Sequence, residues 1–447
     1  MQKVIVIGGN AGGLSAASQV KRQQPDWNVI VLEKGQYISY AACGIPYHVE
    51  GIVPGIESLL GVSPEDARKK RKLDLRQNSE VTKIDPGQKK VTFKTDEGEN
   101  TSGFDYLVIS TGAKPMQAGI EYTPSQRVYN VHTLEDSEAM RSFIEKEKPK
   151  TCAVIGGGYI AIEMLDALLA RGLETHLFHR RDALTRSLER EISDLAIAEM
   201  EEEGVILHNN KTATQVTEKD NGVEVHCEDE TAGFDMVIVA VGVEANSEIA
   251  RAAGIETGIK GSIKVNRYMQ TNYPFIYSAG DCTETINIVS GQPVFMPLAL
   301  KANKEGVAAG VNISGGEEAF PGVLGTAITK FRSLGLARTG LTLDEAEANS
   351  FKAVRFSVTA GSKSGYYPGT GLLTAVLIAE QETGCLLGAQ LAGPLDGVKR
   401  IDVYATAITA EMSLEQIFQL DLAYAPPFSP VYDPVVLTGR VGRKKVK

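Results

Sequence analysis

The residue of this chain best suited to chemistry is Cys43, in the run Ser39-Tyr-Ala-Ala-Cys43-Gly-Ile-Pro46-Tyr-His48. Proline is tolerated in the first turn of a helix, so Pro46 predicts one opening just after Cys43. The positive end of that helix would stabilise a thiolate and lower the thiol pKa. A two-cysteine redox motif would carry its second thiol five residues on, where this chain has His48. Cys43 therefore has no local disulfide partner, and its partner must come from outside the chain or be an oxygen. The plainer alternative is a structural cysteine, because free Cys mostly behaves as a small buried hydrophobe.

Two glycine turns could hold dinucleotides. The first follows Lys3-Val-Ile-Val-Ile7 and reads Gly8-Gly9-Asn10-Ala11-Gly12-Gly13. A helix to about Gln23 and a strand at Val29–Leu32 come next, and the strand ends in Glu33. Glycines let the backbone approach a pyrophosphate, the helix N-terminus stabilises its charge, and the acid bonds a ribose. Asn10 stands where the middle glycine of the motif is usual. The second turn, Gly156-Gly157-Gly158-Tyr159-Ile160-Ala161, lies between a strand at Cys152–Ile155 and a helix to about Arg171. Here the acid position holds His179, followed by Arg180 and Arg181. Cationic groups there suit the 2′-phosphate of NADPH rather than the free hydroxyl of NADH, although solvated arginines are the simpler reading.

These residues need a scaffold. Strands ending at Thr111-Gly112 and at Gly242 would close the two units, and Phe275–Asp281 is a further strand ending in Gly280-Asp281. An aspartate there can accept hydrogen bonds from a sugar-alcohol chain. Residues 60–76 read as a locally basic helix containing Arg68 to Lys72, either a solvated face or a landing site for an anion near Cys43. Residues 80–110 read as strands with turns, and residues 188–203 as a scaffold helix. In the last 120 or so residues, 352–359, 372–379 and 385–392 read as strands and 400–412 as a helix. The tail from Arg440 is basic and expected to fray.

Composition sets bounds. A chain of 447 residues is too long for one core and suggests about three domains. A net charge of −10 argues against general nucleic-acid binding. The five cysteines are scattered, with no CxxC or His/Cys metal spacing, so neither a disulfide framework nor a metal site is expected. No apolar run reaches about 18 residues, so no membrane span is expected. Residues 3–7 already read as a core strand, so no leader is expected, and a reducing cytoplasm is the simplest compartment.

The glycine turns at Gly8–Gly13 and Gly156–Ala161, with Glu33, Thr111-Gly112, Gly280-Asp281 and Cys43, resemble the pyridine nucleotide-disulfide oxidoreductases over essentially the whole chain. Within that family the sequence is most similar to coenzyme A-disulfide reductases, which have one active cysteine. The segments Ser39–Tyr47, Tyr366-Tyr367-Pro-Gly and Ala423-Tyr424-Ala-Pro-Pro-Phe-Ser carry that closer likeness. The resemblance implies an α/β fold: two Rossmann-like dinucleotide-binding domains plus a C-terminal α+β dimerisation domain. The expected boundaries are 1–115 and 247–325 for FAD, 116–246 for NAD(P)H and 326–447 for dimerisation, with no rhodanese-like unit following.

It also implies the roles. FAD would contact Gly8, Gly9, Ala11, Gly12, Gly13, Glu33, Lys34, Thr111, Gly112, Gly280, Asp281, Leu298 and Ala299, with Asp281 on the ribityl chain. NADPH, or NADH, would contact Gly156, Gly158, Tyr159, Ile160, His179, Arg180, Arg181 and Gly242, with Glu163 near the nicotinamide. Coenzyme A, bound to Cys43, would touch Ser15, Gln19, Arg22, Ser39 and Arg71. Ala42 replaces a usual asparagine. Tyr367 and Tyr424 match tyrosines that reach the cysteine pocket from the other subunit of a homodimer, although core aromatics would be the plainer reading. The implied activity is reduction of coenzyme A disulfide, or its persulfide or polysulfide. Two alternatives are an NADH oxidase or peroxidase using a cysteine sulfenic acid, whose relatives carry histidine at the Ala11 position, and a flavoprotein reductase serving a protein partner.

Overall fold

The computed structural model describes residues 1–446. Its first sheet has five parallel strands in the order Ile276–Ser278, Tyr106–Ile109, Lys3–Ile7, Asn28–Leu32, Asp74–Arg76. The central strands are runs of Val, Ile and Leu with interiors buried on both faces, as parallel strands between helical layers must be. A second sheet repeats the plan, in the order Ile206–Asn209, Glu174–His179, Thr151–Ile155, Met236–Val239, Val128–Tyr129. Each carries a three-stranded antiparallel annex, at residues 80–103 and 213–234. The third large sheet is antiparallel: Ala327–Phe331, Leu334–Gly340, Leu386–Pro394, Leu372–Glu380, Ala353–Gly361. Helices Ile401–Thr409 and Pro434–Gly442 cover it. This is the expected fold class.

Two expectations fail. Residues 60–76 are not one helix. The helical part is only Pro64–Lys69; the backbone turns left-handed at Lys72 (φ 55°), and 74–76 form an edge strand. Leu73 and Leu75, two apart, bury into the core beside Asn28–Leu32, and that period-two burial overrides the helix. Nor does the tail fray from Arg440. The last helix runs to Gly442, where an added Cβ would lie 2.2 Å from the Phe356 ring. Lys447 lies outside the described residues. Sequence reading also passed over the hairpin at 327–340 and the helix Leu134–Glu147, although a capping box at Thr133 and Asp136 marks the latter's start.

Helix Ala299–Ile313 lies directly on helix Ala11–Gln23, and glycine permits the approach. A Cβ at Gly306 would stand 2.2 Å from the carbonyl oxygen of Gly12; at Gly310 it would stand 2.8 Å from that of Ala16. Both neighbours are backbone and cannot swing away. Gly306→Ala should therefore force the helices apart and cost about 1–3 kcal/mol of stability in urea or thermal unfolding. A variant as stable as the parent would contradict this packing.

Candidate active site

The first glycine turn is a cradle with no room for side chains. A Cβ at Gly8 (φ 99°) would lie 2.1 Å from the Ser110 carbonyl oxygen, and one at Gly13 would lie 2.0 Å from that of Gly8. At Gly12 it would meet the Ala279 carbonyl at 2.9 Å. Ala11 begins the helix that leaves this turn. The Glu33 carboxylate spans its mouth, accepting from Gly9 N–H at 2.7 Å and from Gly35 N–H at 2.8 Å; Lys34 beside it is exposed. Thr111 donates its hydroxyl to the Asn246 carbonyl, and Gly112 turns away with φ 72°.

Asp281 is fixed from below. Lys301 and Glu305, essentially without solvent exposure, form an ion pair at 3.1 Å and grip the residue before Asp281 on both sides. Lys301 Nζ donates to the carbonyls of Gly280 (2.9 Å) and Thr283 (3.0 Å), while Glu305 accepts from Gly280 N–H at 2.9 Å. Burial pushes the Glu305 carboxyl up to about 7 despite its lysine. Burial also raises Asp281, against the opposing pull of Lys301. Asp281 Oδ1 is buried and has no hydrogen-bond partner among the described residues. Leu298 caps the helix opened by Ala299. A bare glycine cradle, a spanning acid and an unpartnered buried carboxylate oxygen fit a flavin dinucleotide, whose ribityl hydroxyls would complete Asp281.

Cys43 is exposed on a single 3-10 turn, Ala42–Gly44, and helix Ile45–Glu50 follows with Pro46 in its first turn, as expected. The turn is tied down by Ala41 N–H donating to Leu59 O at 2.9 Å. The expected lowering of its pKa is not found. Desolvation by the surrounding protein raises the thiol, and the carboxylates of Glu163 and Asp281 raise it further, against a weaker lowering by its own backbone N–H. Glu163 and Asp281, from different dinucleotide units, thus both act on Cys43. Glu163 accepts a hydrogen bond from the Thr329 hydroxyl at 2.9 Å, and burial raises its own pKa.

The second turn shows the same bareness. A Cβ at Gly156 (φ 126°) would lie 2.3 Å from the Ala240 carbonyl, and one at Gly157 would lie 2.6 Å from His179 Nε2. Gly158 caps the helix opened by Tyr159 and Ile160, and Gly242 (φ 116°) closes the far side. His179 ends its strand with Nδ1 3.2 Å from the Arg181 carbonyl oxygen. Burial lowers its pKa against the raising hydrogen bond to the Arg181 carbonyl, and the charges of Arg181 and Arg180 add to the lowering, which disfavours the cationic ring. The positive charge then rests with the arginines. Burial depresses Arg181, and so do Arg186 and Arg180. Sequence reading missed Arg186. Its only signal was a third arginine shortly after a pair. Among the described residues none of the three has a carboxylate partner.

The remaining expected contacts gather on one helix face. Arg71 donates to Ser18 Oγ at 2.8 Å, and Arg22 Nε lies 3.4 Å from the Ser18 carbonyl. Ser15 donates to Asn303 at 2.8 Å, and Gln19 packs at Gly310. The neighbouring cations are engaged: Arg68 holds the Leu75 carbonyl, while Lys69 and Lys70 pair with Glu65 and Asp66. Ser39 (φ 48°) donates its N–H to Gly9 O at 3.0 Å and accepts from Gly61 N–H at 2.7 Å, joining the glycine turn to the Cys43 segment. Tyr367 and Tyr424 are exposed, on loops that Arg400 ties together through the carbonyls of Ser362 (3.2 Å) and Phe428 (2.7 Å). No helix among the described residues is long and apolar enough to cross a membrane.

Residues 2–306 match the family model for pyridine nucleotide-disulphide oxidoreductases, and residues 326–434 match the dimerisation domain of the same family. The chain is 39% identical over 439 residues to a CoA-dependent NAD(P)H sulfur oxidoreductase of Pyrococcus abyssi, covering 98% of this chain and 97% of the relative. It is 29% identical over 451 residues to a coenzyme A disulfide reductase of Staphylococcus haemolyticus, covering 99% and 100%. The structure of an NAD-dependent persulfide reductase from A. fulgidus superposes with a TM-score of 0.96 at 34% identity, covering 99% of this chain and 83% of that one. With the cradle, the lone exposed thiol and the second bare turn, these matches identify the chain as a member of the pyridine nucleotide-disulphide oxidoreductase family.

Proposed function

We propose that this chain reduces the disulfide or persulfide of coenzyme A with electrons from NADPH, through a mixed disulfide on Cys43. The observation that carries the reading is Cys43 itself: an exposed thiol with no second cysteine nearby in sequence, acted on by the carboxylates of both dinucleotide units. In this reading FAD occupies residues 1–115 and 247–325, NADPH occupies 116–246, and residues 326–447 pair two protomers in a cytoplasmic homodimer. FAD bound there would pass the electron pair of NADPH to the mixed disulfide. The chain does the rest. Cys43 thiolate attacks one sulfur of the substrate, forms the mixed disulfide and expels the other as a thiolate. On reduction, two electrons and two protons return Cys43 thiol and free coenzyme A.

Arg22 and Arg71 support the choice of coenzyme A. They converge on Ser18 without a carboxylate partner among the described residues, in a chain of net charge −10, and suit its phosphates. Arg180, Arg181 and Arg186 support NADPH over NADH, because an unpaired arginine cluster is costly without an anion to meet it. Tyr367 and Tyr424 of the second protomer would protonate or hold the leaving thiolate.

Cys43→Ser should keep its FAD but lose NADPH-dependent turnover of coenzyme A disulfide and persulfide, read as initial rates beside glutathione disulfide and oxygen. Turnover retained in that variant would place the chemistry elsewhere; fast oxygen consumption by the parent with no thiol product would favour an oxidase. A second expectation follows from the raised thiol. Alkylation of reduced enzyme by iodoacetamide should rise with pH through a pKa above the ordinary thiol value. Glu163→Gln removes a negative charge that disfavours the thiolate, so it should lower that pKa and speed alkylation at pH 7. An unmoved profile would mean that Glu163 does not act on Cys43.

A further inference from the structure

The arginines proposed to read the 2′-phosphate lie on a loop, residues 180–189, and a loop discriminates only if something holds it. Within its own unit it is tied by Thr185 N–H donating to Gly157 O at 3.0 Å and by Leu184 N–H donating to Ser193 Oγ at 2.8 Å. Its far end is held from outside. Gln390, on strand Leu386–Pro394 of the C-terminal sheet, is 1% exposed and spends both ends of its amide on this loop. Its Oε1 accepts from Glu189 N–H at 2.7 Å, and its Nε2 donates to the Ser187 carbonyl at 3.2 Å. The Glu189 carboxylate meets the same part of the fold, accepting from Leu343 N–H at 2.8 Å and pairing with Arg355 at 3.1 Å. Arg186 thus stands between two anchors. Thr185 is bound to the second glycine turn, where the cofactor's pyrophosphate would lie in the proposed reading, and Ser187 is bound to the C-terminal sheet.

Gln390 in a strand interior is otherwise unexplained. Its neighbours in register are Arg338 and Val376, and its face of the sheet, with Leu336 and Ala392, packs on Leu188, Ile192 and Ala196 of the second dinucleotide unit. A buried amide at that position costs free energy unless both its ends are satisfied, and the arginine-bearing loop is what satisfies them. We infer that Gln390 is a positioning residue for cofactor choice: through Ser187 and Glu189 it sets Arg186 at the 2′-phosphate, so that the C-terminal domain helps to select NADPH over NADH. The inference rests on the proposed NADPH reading.

The test uses the FAD-loaded enzyme with adenosine 2′,5′-bisphosphate and 5′-AMP as competitive inhibitors against NADPH. Gln390→Met is nearly isosteric and removes both hydrogen bonds. It should raise Ki for the bisphosphate about tenfold, the size of one charge-assisted hydrogen bond, and leave Ki for 5′-AMP unchanged. KM should rise for NADPH but not for NADH, with kcat for both kept. Should that variant fail to fold, Gln390→Asn, one methylene too short to span both partners, gives the same comparison. Unchanged inhibition by the bisphosphate overturns the inference, as does an equal loss for both inhibitors, which would make Gln390 merely structural. Arg186→Gln separates the two levels. If it loses bisphosphate affinity while the Gln390 variants do not, the phosphate site stands and the positioning role falls. If Arg186→Gln changes neither inhibitor, Arg186 is not at the phosphate and the inference falls, while equal kcat/KM for NADPH and NADH in the parent would remove the NADPH reading itself.

Discussion

Gly306 and the carbonyl of Gly12 approach so closely that no side-chain carbon fits between them, and the active site is organised around that approach. It seats helix Ala299–Ile313 against the helix that leaves the first glycine turn. One face of the seated helix then carries Lys301 and Glu305 beneath Gly280, fixing the backbone next to Asp281, whose Oδ1 is buried without a partner among the described residues. Another face presents Asn303 to Ser15, on the side where Arg22 and Arg71 meet at Ser18. Flavin cradle and proposed coenzyme A face are therefore two sides of one helix pair. A buried ion pair alone is weak evidence for stability, since desolvation offsets most of its attraction. Lys301–Glu305 makes better sense as a device that grips both the N–H and the C=O of one glycine.

A second constraint joins the dinucleotide units to the C-terminal sheet. The hairpin at 327–340 lays Thr329 on Glu163, pairs Lys330 with Asp166, and reaches Glu203 with Arg332 at 2.9 Å. Phe331 is fully buried between them. Glu163, which acts on Cys43, is thus oriented by a residue outside its own unit. With the Gln390 contact to the arginine loop, the C-terminal domain holds residues at both the Glu163 helix and the arginine loop of the second dinucleotide unit.

What the sequence disclosed divides by distance along the chain. The two strand–glycine–helix–strand units were legible because the signal is local: Gly8 and Gly156 must take positive φ at a strand end, and few arrangements other than a close backbone approach need that. Cys43 stood out because its usual partner position is His48. The helix assigned to 60–76 failed where local charge pattern met long-range burial of Leu73 and Leu75. The direction of the Cys43 shift was misjudged for a similar reason. The nearby helix end is visible in sequence, whereas the protein that desolvates the thiol, and then Glu163 and Asp281, arrive only through the fold. Lys301–Glu305, Thr329 and Gln390 have no local signature at all, since each acts on a residue far along the chain.

The central claim is that Cys43 works as a lone thiol whose partner is coenzyme A. Mass spectrometry of the purified, unreduced protein tests it most directly. The account predicts a Cys43 peptide heavier by the mass of one coenzyme A less the two hydrogens lost in forming the disulfide, an adduct released as free coenzyme A on reduction. A Cys43 found as sulfenic or sulfinic acid, carrying glutathione, or joined to another cysteine of the chain would contradict it.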